Sequence, residues 1–433
     1  MVLLLLVLGL ACGGSDSVGP NAQGFDALPF SGPPEVAAGI GPPDGEAGPG
    51  PQGVGRDLSP TGLGGGGPTS GRAHFLDRPL FRGSPPPPNY LLLGLNSRGG
   101  GWTEAFNLPV AGAPEHAAWG RIPWDNYNSV DGSVRPAAGD IDGDGRDELV
   151  YGLGPASAGW VYVVDDPGTG LAPIGWLQVS WPGYTGSGNA PTYPACADLD
   201  GDGKDEVVLG LGSGGGGWAQ VFSYSGGTTF VPFAGAPVAN GWVRVSWPTY
   251  ADWPNAPVYP AGGNLDGAGG AELVLGLGSR GGGWSQVWTF NGSTLVPYGG
   301  TPLGGGWVLL DWAGYNASGN APIYPACGDL DRDGKDDLVL GLGTVGAGWL
   351  QVLRSTGSTL SPMPPLAGGW ARVPWTGYAS SGDAASYPAC GDLDGDTRDD
   401  LVVGLGSAGY GWAYVWSGGS LSPPAWGGWV QVN

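Results

Sequence analysis

Carboxylates at alternate positions of short loops are the residues of this chain whose types and spacing could do chemistry. One loop reads DIDGDGRDE from Asp140, and related nine-residue loops begin at Asp198, Asn264, Asp329 and Asp392. These five loops hold 22 of the 38 acidic residues of the 433-residue chain. Because the acid lies in five dispersed clusters and not in one block, the pattern argues against a disordered acidic tail.

Four of the five loops, numbered from the first residue, carry carboxylates at positions 1, 3, 5 and 9. Such carboxylates in a tight turn can converge on one hard cation, which takes about six to eight oxygen ligands. Glycine at position 6 permits the turn, and the carbonyl of position 7 can add a ligand. The predicted side-chain ligands are Asp140, Asp142, Asp144 and Glu148; Asp198, Asp200, Asp202 and Glu206; Asp329, Asp331, Asp333 and Asp337; and Asp392, Asp394, Asp396 and Asp400. The predicted carbonyl ligands belong to Arg146, Lys204, Lys335 and Arg398.

Two loops depart from this pattern. The loop at Asn264 has Ala268 at position 5, so only Asp266 and Glu272 remain as carboxylates. We expect weak or no metal binding there, and about four occupied loops in all. The last loop has Thr397 in place of the position-6 glycine, which the turn should tolerate.

Two further expectations concern the surroundings of these ligands. An EF-hand is excluded because position 12 is Tyr151, Leu209, Leu340 or Val403 and a strand follows at once. Asp205, at position 8 of its loop, is expected to point away from the ligands into solvent.

The composition favours an all-β protein. Ninety glycines, 42 prolines and 21 tryptophans accompany only 12% charged residues. Glycine and proline are unfavourable inside helices, whereas tryptophan and valine suit half-buried strands. A net charge of −22 with two histidines provides no basic surface for nucleic acid.

A repeat of about 60 residues organises the chain from residue 89 onward. Three tryptophan positions of this repeat account for 17 of the 21 tryptophans. In one unit the strand-like stretches are 193–199, 206–212, 217–223 and 241–247. Four strands per repeat predict a β-propeller with one blade per unit. Strands two to four occur six times but the first strand only five times, so we expect six blades, with 73–81 a candidate for the missing strand.

The loops and the strand after them resemble the FG-GAP (VCBS-type) repeat of integrin α-subunit propellers and many exported bacterial proteins. The matching stretches are DIDGDGRDELVYGLG, DLDGDGKDEVVLGLG, DLDRDGKDDLVLGLG and DLDGDTRDDLVVGLG. The resemblance covers about 89–433 and implies a calcium-stabilised propeller used for binding or adhesion. It also implies that the acidic loop joins the first two strands of each blade.

The N-terminal region predicts export. Residues 1–12 hold an apolar run that is too short to span a bilayer and fits a signal peptide. Cys12 after small residues resembles the lipobox of bacterial lipoproteins, which implies lipidation of Cys12; a plain cleaved signal is the alternative. Residues 13–88 are rich in Gly and Pro and are expected to form a flexible tether to the propeller at 89–433. The expected location is the bacterial outer membrane or cell surface, or secretion, with any membrane contact through the lipid anchor.

The remaining polar residues favour a protein that is not an enzyme. Cys196, Cys327 and Cys390 share one repeat position, where pairing is awkward, and are expected to be buried free thiols. His74 and His116 lie away from the acidic loops, and no nucleophile–base constellation stands outside the repeats.

A ligand surface is predicted on the fourth strand of each blade. An exposed tryptophan beside arginine could stack on a sugar and hydrogen-bond its hydroxyls, although edge covering by the arginine stem is the more conservative interpretation. We expect a glycan or protein ligand, with a purely structural domain or an enzyme with an unrecognised site as alternatives. The candidates are Trp119, Arg121, Trp176, Trp242, Arg244, Trp370 and Arg372.

Overall fold

Six β-sheets, each the blade of a propeller, make up the described part of the chain. The computed structural model describes residues 4–8 as a strand, and residues 89–432 apart from 98, 109–111, 166–170 and 254. Within each blade, neighbouring strands that follow one another in sequence pair antiparallel, with the exception of one N-terminal strand. The all-β, six-bladed fold predicted from the repeat is confirmed, whereas Cys12 and the whole of the predicted tether at 13–88 lie outside the described residues.

The blades follow one another in chain order. Blade 1 consists of β1 (Leu4–Leu8), β2 (Asn89–Leu95), β3 (Trp102–Leu108) and β4 (Glu115–Arg121), and blade 2 of β5 (Val134–Gly139), β6 (Glu148–Leu153), β7 (Trp160–Val164) and β8 (Pro173–Gln178). Blade 3 consists of β9 (Thr192–Ala197), β10 (Glu206–Leu211), β11 (Trp218–Gly226), β12 (Thr229–Pro232) and β13 (Trp242–Arg244), and blade 4 of β14 (Val258–Gly263), β15 (Glu272–Leu277), β16 (Trp284–Phe290), β17 (Leu295–Pro297) and β18 (Trp307–Leu309). Blade 5 consists of β19 (Ile323–Gly328), β20 (Asp337–Leu342), β21 (Trp349–Ser355), β22 (Leu360–Pro362) and β23 (Trp370–Arg372), and blade 6 of β24 (Ser386–Gly391), β25 (Asp400–Leu405), β26 (Trp412–Trp416) and β27 (Trp429–Gln431).

The outer edge of blades 3, 4 and 5 differs from the sequence prediction. Two short strands, and not one, pair there with the third strand of the blade. In blade 3 the predicted strand is present as β13, and β12 pairs with the other half of β11. Each blade therefore has four strand positions, as predicted. In blades 3, 4 and 5 the fourth position is occupied by two short strands.

Short helices connect successive blades, and a tyrosine in each helix ties the connection to the next blade. The hydroxyl of Tyr315 donates to the carbonyl of Pro322 over 2.5 Å and accepts the N–H of Gly343 over 2.7 Å. The same arrangement recurs at Tyr127, Tyr184, Tyr250 and Tyr378. The helices are α1 (Asp125–Val130), α2 (Pro182–Thr185), α3 (Pro248–Ala251), α4 (Ala313–Asn316) and α5 (Thr376–Ala379). In the described residues, no helix combines the length and the apolar character needed to cross a bilayer.

The innermost strand of blade 1 comes from the extreme N-terminus. β1 pairs with β2 in parallel, with Leu4 opposite Leu91 and Leu8 opposite Leu95. The other five first strands pair antiparallel with the second strand of their own blade. Blade 1 therefore obtains its missing strand from a segment read in the sequence as a signal peptide, and the alternative candidate 73–81 lies outside the described residues.

The core lies between neighbouring blades. The second strand of blades 2 to 6 is buried along its whole length, because one of its faces meets the blade before it and the other the blade after it. Leu91 and Phe106 of blade 1 pack in one cluster with Val402 and Val415 of blade 6, so the ring is closed by apolar contacts. The hydrophobic effect acting at each junction therefore stabilises the whole ring.

The three predicted free thiols of the repeat are confirmed as unpaired cysteines. Their position takes only a small side chain because it faces the last residue of the preceding first strand. A Cβ added to Gly328 would lie 2.4 Å from the Cβ of Cys390, and one on Gly263 would lie 2.3 Å from the Cβ of Cys327. The three side chains are half-buried, whereas the sequence predicted buried thiols. Desolvation raises the pKa of the Cys327 thiol well above its ordinary value, as it does at the equivalent thiols, which disfavours the reactive thiolate.

Candidate metal centre

The acidic loops are the turns of the hairpins formed by the first two strands of blades 2 to 6. In blade 2, Gly139 at the end of β5 pairs with Glu148 at the start of β6. The loop residues between them leave the sheet while position 9 is already part of the second strand. This geometry places the position-9 carboxylate beneath the turn and the carboxylates of positions 1, 3 and 5 around it.

Four of the five loops bring three carboxylates together, each offering an oxygen within 4.8 Å of the others. The groups are Asp140, Asp142 and Glu148; Asp198, Asp200 and Glu206; Asp329, Asp331 and Asp333; and Asp392, Asp394 and Asp396. The first two groups omit the predicted position-5 ligands Asp144 and Asp202, and the last two omit the position-9 ligands Asp337 and Asp400. At position 7 the structure shows the N–H of Arg146 donating to Asp144 over 3.0 Å, with the same bond at Lys204, Lys335 and Arg398.

The position-9 carboxylate of blade 2 shows why such a loop suits a cation. Glu148 is fully buried, and its Oε2 accepts the N–H of Ile141 over 2.8 Å. Its Oε1 is buried without a hydrogen-bond partner. Burial, reinforced by the charge of Asp142, raises the pKa of Glu148 to about 9. A divalent cation beside Oε1 would satisfy that oxygen and reverse the destabilisation of the ionised form.

The loop of blade 4 satisfies its carboxylate without a cation. Oε2 of Glu272 accepts the N–H of Leu265 over 2.8 Å, and Oε1 accepts the hydroxyl of Thr289 over 2.8 Å. Among the described residues, the groups of three converging carboxylates do not include this loop. Oε1 of Glu206 in blade 3 likewise accepts the hydroxyl of Ser223 over 3.1 Å, so the loop of blade 4 is set apart by Asn264 and Ala268, which replace the carboxylates of positions 1 and 5.

A guanidinium group occupies part of the loop of blade 5. Nε of Arg354 lies 2.6 Å from Oδ2 of Asp331, and its Nη2 lies 3.0 Å from Oδ2 of Asp333. Nζ of Lys335 lies 3.3 Å from the other oxygen of Asp333. These cations neutralise carboxylates that a metal would otherwise use.

The position-8 aspartates link neighbouring loops, and the expectation that Asp205 is solvated is wrong. Oδ2 of Asp336 accepts the N–H of Asn264 in the preceding loop over 2.8 Å, and Asp399 accepts the N–H of Asp329 over 2.9 Å. Asp205 is half-buried, and its own N–H donates to the carbonyl of Asp140 over 2.8 Å. Burial raises the pKa of Asp205 to about 7. In blades 3 to 6, each loop therefore rests on the loop of the blade before it.

The predicted sugar-stacking tryptophans are engaged in packing. Trp242 is 3% exposed, so the prediction of an exposed ring at this residue is wrong. Its ring meets Trp218 edge-on at 5.8 Å and Trp181 of the preceding blade at 6.4 Å. Trp119, Trp176 and Trp370 are half-buried and make similar edge contacts with tryptophans of their own blade.

The arginines of the same strands cover tryptophans of the neighbouring strand. The guanidinium of Arg244 lies 5.3 Å from the ring centre of Trp218, and its Nε donates to the carbonyl of Gly216 over 3.1 Å. Arg121 and Arg372 make the same two contacts in blades 1 and 5. Cation–π stacking accounts for these residues without a ligand.

Replacement of Trp242 with alanine is therefore expected to destabilise the protein by about 3–5 kcal/mol, the usual cost of emptying a buried aromatic site. Urea unfolding followed by circular dichroism measures this change. Trp242→Phe, which keeps an aromatic ring in the site, should recover part of the loss. A Trp242→Ala protein of unchanged stability would contradict the packing role.

A comparison with models of protein families agrees with the sequence of the acidic loops. Residues 140–209, which span the first two acidic loops, match the family model of the FG-GAP-like repeat. The chain is a six-bladed propeller that carries an FG-GAP-like repeat. A search of curated proteins finds no match to the chain.

Several solved structures are similar to the propeller at low identity. The exotype rhamnogalacturonan lyase YesX is 14% identical, with a TM-score of 0.31 and coverage of 74% of this chain and 56% of the lyase. The rhamnogalacturonan lyase of Bacillus licheniformis is 13% identical, with a TM-score of 0.28 and coverage of 74% and 65%. The periplasmic gluconolactonase PpgL of Pseudomonas aeruginosa is 12% identical, with a TM-score of 0.40 and coverage of 77% and 76%. This chain thus spans less than two thirds of either lyase, and none of these likenesses transfers an activity to it.

Proposed function

We propose that the protein is an exported, calcium-stabilised propeller that acts as a non-catalytic binding module for a glycan or a protein. The observation that carries the calcium part is the convergence of three carboxylates at the same hairpin of four blades. Calcium is the divalent ion that flexible all-oxygen sites of this kind favour. Repetition around the ring favours a structural ion, because a catalytic ion is normally unique and keeps an open coordination position.

The binding surface that we propose is the face opposite the acidic loops. In an antiparallel blade, the turn between the second and third strands and the connection to the next blade both lie at that face. Exposed apolar side chains occur there, with Tyr410 at 71%, Val130 at 74% and Val345 at 45% exposure. Exposed aromatic and aliphatic groups of this kind are suited to contacts with a sugar ring or a protein. This face replaces the tryptophans of the fourth strand as the proposed ligand surface.

A glycan array probed with the calcium-loaded protein tests the binding role. We expect carbohydrate binding that Tyr410→Ala weakens without a change in melting temperature. Leu303→Ala, which changes a residue 56% exposed between β17 and β18, is the matched control and should bind normally. Equal binding by both variants would place the ligand elsewhere, and no glycan binding would leave a protein ligand as the proposal.

Export by a cleaved signal peptide conflicts with the position of β1. The mass of the mature protein distinguishes a cleaved chain from one that keeps β1. Cleavage at Cys12 would remove Leu4–Leu8, which the structure uses as the first strand of blade 1. Lipidation would leave Cys12 as the first residue and anchor the propeller to a membrane. Intact mass spectrometry of protein from its native host determines whether residues 1–11 are present and whether Cys12 carries lipid.

The guanidinium in the loop of blade 5 leads to a prediction about metal affinity. Arg354→Ala should tighten calcium binding to this loop by about tenfold, because it removes a charged hydrogen-bond partner of Asp331 and Asp333. The weakest site resolved by calorimetry should therefore become stronger. Ser223 occupies the equivalent position in blade 3, so Ser223→Arg should weaken calcium binding to the loop of that blade. Weaker binding in Arg354→Ala would instead mean that Arg354 orients the ligands.

A further inference from the structure

The second residue of the first strand forms a ring around the propeller axis. Consecutive first strands contact one another, so their side chains face a common central space. In four blades this residue is tyrosine: Tyr193, Tyr259, Tyr324 and Tyr387. In blade 2 the same position is Arg135. These five residues line a cavity of about 310 Å³.

The tyrosines give this cavity a continuous aromatic wall. The ring centres of Tyr193 and Tyr259 lie 4.7 Å apart, as do those of Tyr259 and Tyr324 and those of Tyr324 and Tyr387. A proline follows each tyrosine and also lines the cavity. Mostly apolar walls with a few polar groups are the usual lining of a small-molecule site.

Among the described residues that line the cavity, Arg135 is the one cation. Its guanidinium lies 4.6 Å from the ring centre of Tyr193, and its Nη1 is buried without a hydrogen-bond partner. The nearby carboxylate of Asp131 already accepts the hydroxyl of Ser133 over 2.7 Å, and within the described residues Arg135 forms no ion pair. A buried donor without a partner costs free energy that a suitable acceptor would recover. The amide-bearing residue Asn96 also lines the cavity.

The acidic loops do not interfere with an anion at this position. Arg135 is the second residue of β5, whereas the acidic loop begins after the last residue of that strand. Five residues of extended strand separate them by roughly 16 Å. At that distance the repulsion between a ligand carboxylate and the loop carboxylate is small beside the attraction to the adjacent Arg135 guanidinium, because the energy falls with distance.

We propose that this cavity binds a small molecule that carries a carboxylate on a six-membered ring. Guanidinium and carboxylate match in charge and in planar geometry, and can form two parallel hydrogen bonds. The tyrosine rings provide stacking surfaces for the body of the ligand, and their hydroxyls can hydrogen-bond its substituents. The volume lies at the lower end of the range of about 300–1,000 Å³ that ligand pockets occupy, which favours a single ring. The inference goes beyond the proposed function and does not depend on calcium at the loops or on the outer face.

Titration calorimetry of the calcium-loaded, full-length protein with 4-hydroxybenzoate and with glucuronate tests the proposal. Binding of the first alone indicates an aromatic acid, and binding of the second alone a sugar acid. The informative variant is Arg135→Tyr, which gives blade 2 the residue of the other four blades and should leave the melting temperature unchanged. It should weaken binding by at least about tenfold, the effect of losing a charged hydrogen-bonded pair.

A second variant and an uncharged ligand test whether the charge of Arg135 is responsible for binding. Arg135→Lys retains the charge and should bind with an intermediate affinity, which covers the case in which Arg135→Tyr fails to fold. Uncharged 4-hydroxybenzamide should bind the native protein at least tenfold more weakly than 4-hydroxybenzoate. Absence of binding of both acids at millimolar concentration, or equal binding by the native protein and Arg135→Tyr, would overturn the proposal.

Discussion

Removal of calcium with EDTA is expected to lower the melting temperature of the protein by about 10–20 °C. A ligand present at 100 times its dissociation constant stabilises the folded state by about 2.7 kcal/mol per site, or about 11 kcal/mol for four independent sites. In a domain of this size each kcal/mol corresponds to about 2 °C or less. Differential scanning fluorimetry with and without calcium measures the shift, and calorimetry should find about four ions.

The five loops supply their own controls for this prediction. Asp140→Asn combined with Asp142→Asn should reduce the number of bound ions by one. Asn264→Asp combined with Ala268→Asp gives the loop of blade 4 the pattern of its neighbours and should raise the number by one. A melting temperature that does not respond to EDTA, together with no heat of calcium binding, would refute the metal centre.

Calcium at one loop is expected to act beyond its own hairpin. In blades 3 to 6, position 8 of each loop contacts position 1 of the loop before it, as Asp336 does with Asn264. Position 1 is also a predicted metal ligand in four loops, so an ion fixes a residue on which the next loop rests. We therefore expect calcium to stabilise the closed ring and not only separate hairpins.

The fold and the loops could be predicted because both rest on local patterns that recur. A turn with alternate carboxylates needs its ligands close together in sequence, so the groups at Asp140 and Asp198 follow from spacing alone. The same holds for the loop at Asn264, where two substitutions remove the ligands. The number of blades followed from counting the strands of the repeat.

Contacts between repeats could not be predicted from the pattern of one repeat. Asp205 appears free within its own loop, and only the packing of blade 3 on blade 2 buries it. Trp242 looks exposed on an outer strand, yet Trp181 of the preceding blade covers it. A third contact between blades could have been predicted from the sequence. A glutamine recurs in three blades, two residues after the tryptophan that begins the third strand. In blade 3 this residue, Gln220, is buried and accepts the N–H of Ser180 in blade 2 over 2.9 Å.

Replacement of Gly276 with alanine is expected to destabilise the protein by about 3 kcal/mol or more. Gly276 lies on β15, and a Cβ there would be 2.3 Å from the carbonyl oxygen of Ile323 and 2.7 Å from Cδ of Pro325. Both atoms belong to β19, the first strand of the next blade. Overpacking of a core typically costs about 1–3 kcal/mol, and a clash with backbone cannot be relieved by a change of rotamer. Urea unfolding measures the loss.

Gly299→Ala is the matched control, since a Cβ at Gly299 would have no atom within 4 Å. This change should leave stability within about 0.5 kcal/mol of the native protein. Equal stability of the two variants would mean that the blades can move apart at no cost. Glycine faces the next blade at the equivalent position in four other blades, namely at Gly94, Gly152, Gly210 and Gly341. Because the ring closes only if every junction keeps the same close approach, Gly210→Ala should cost about as much as Gly276→Ala.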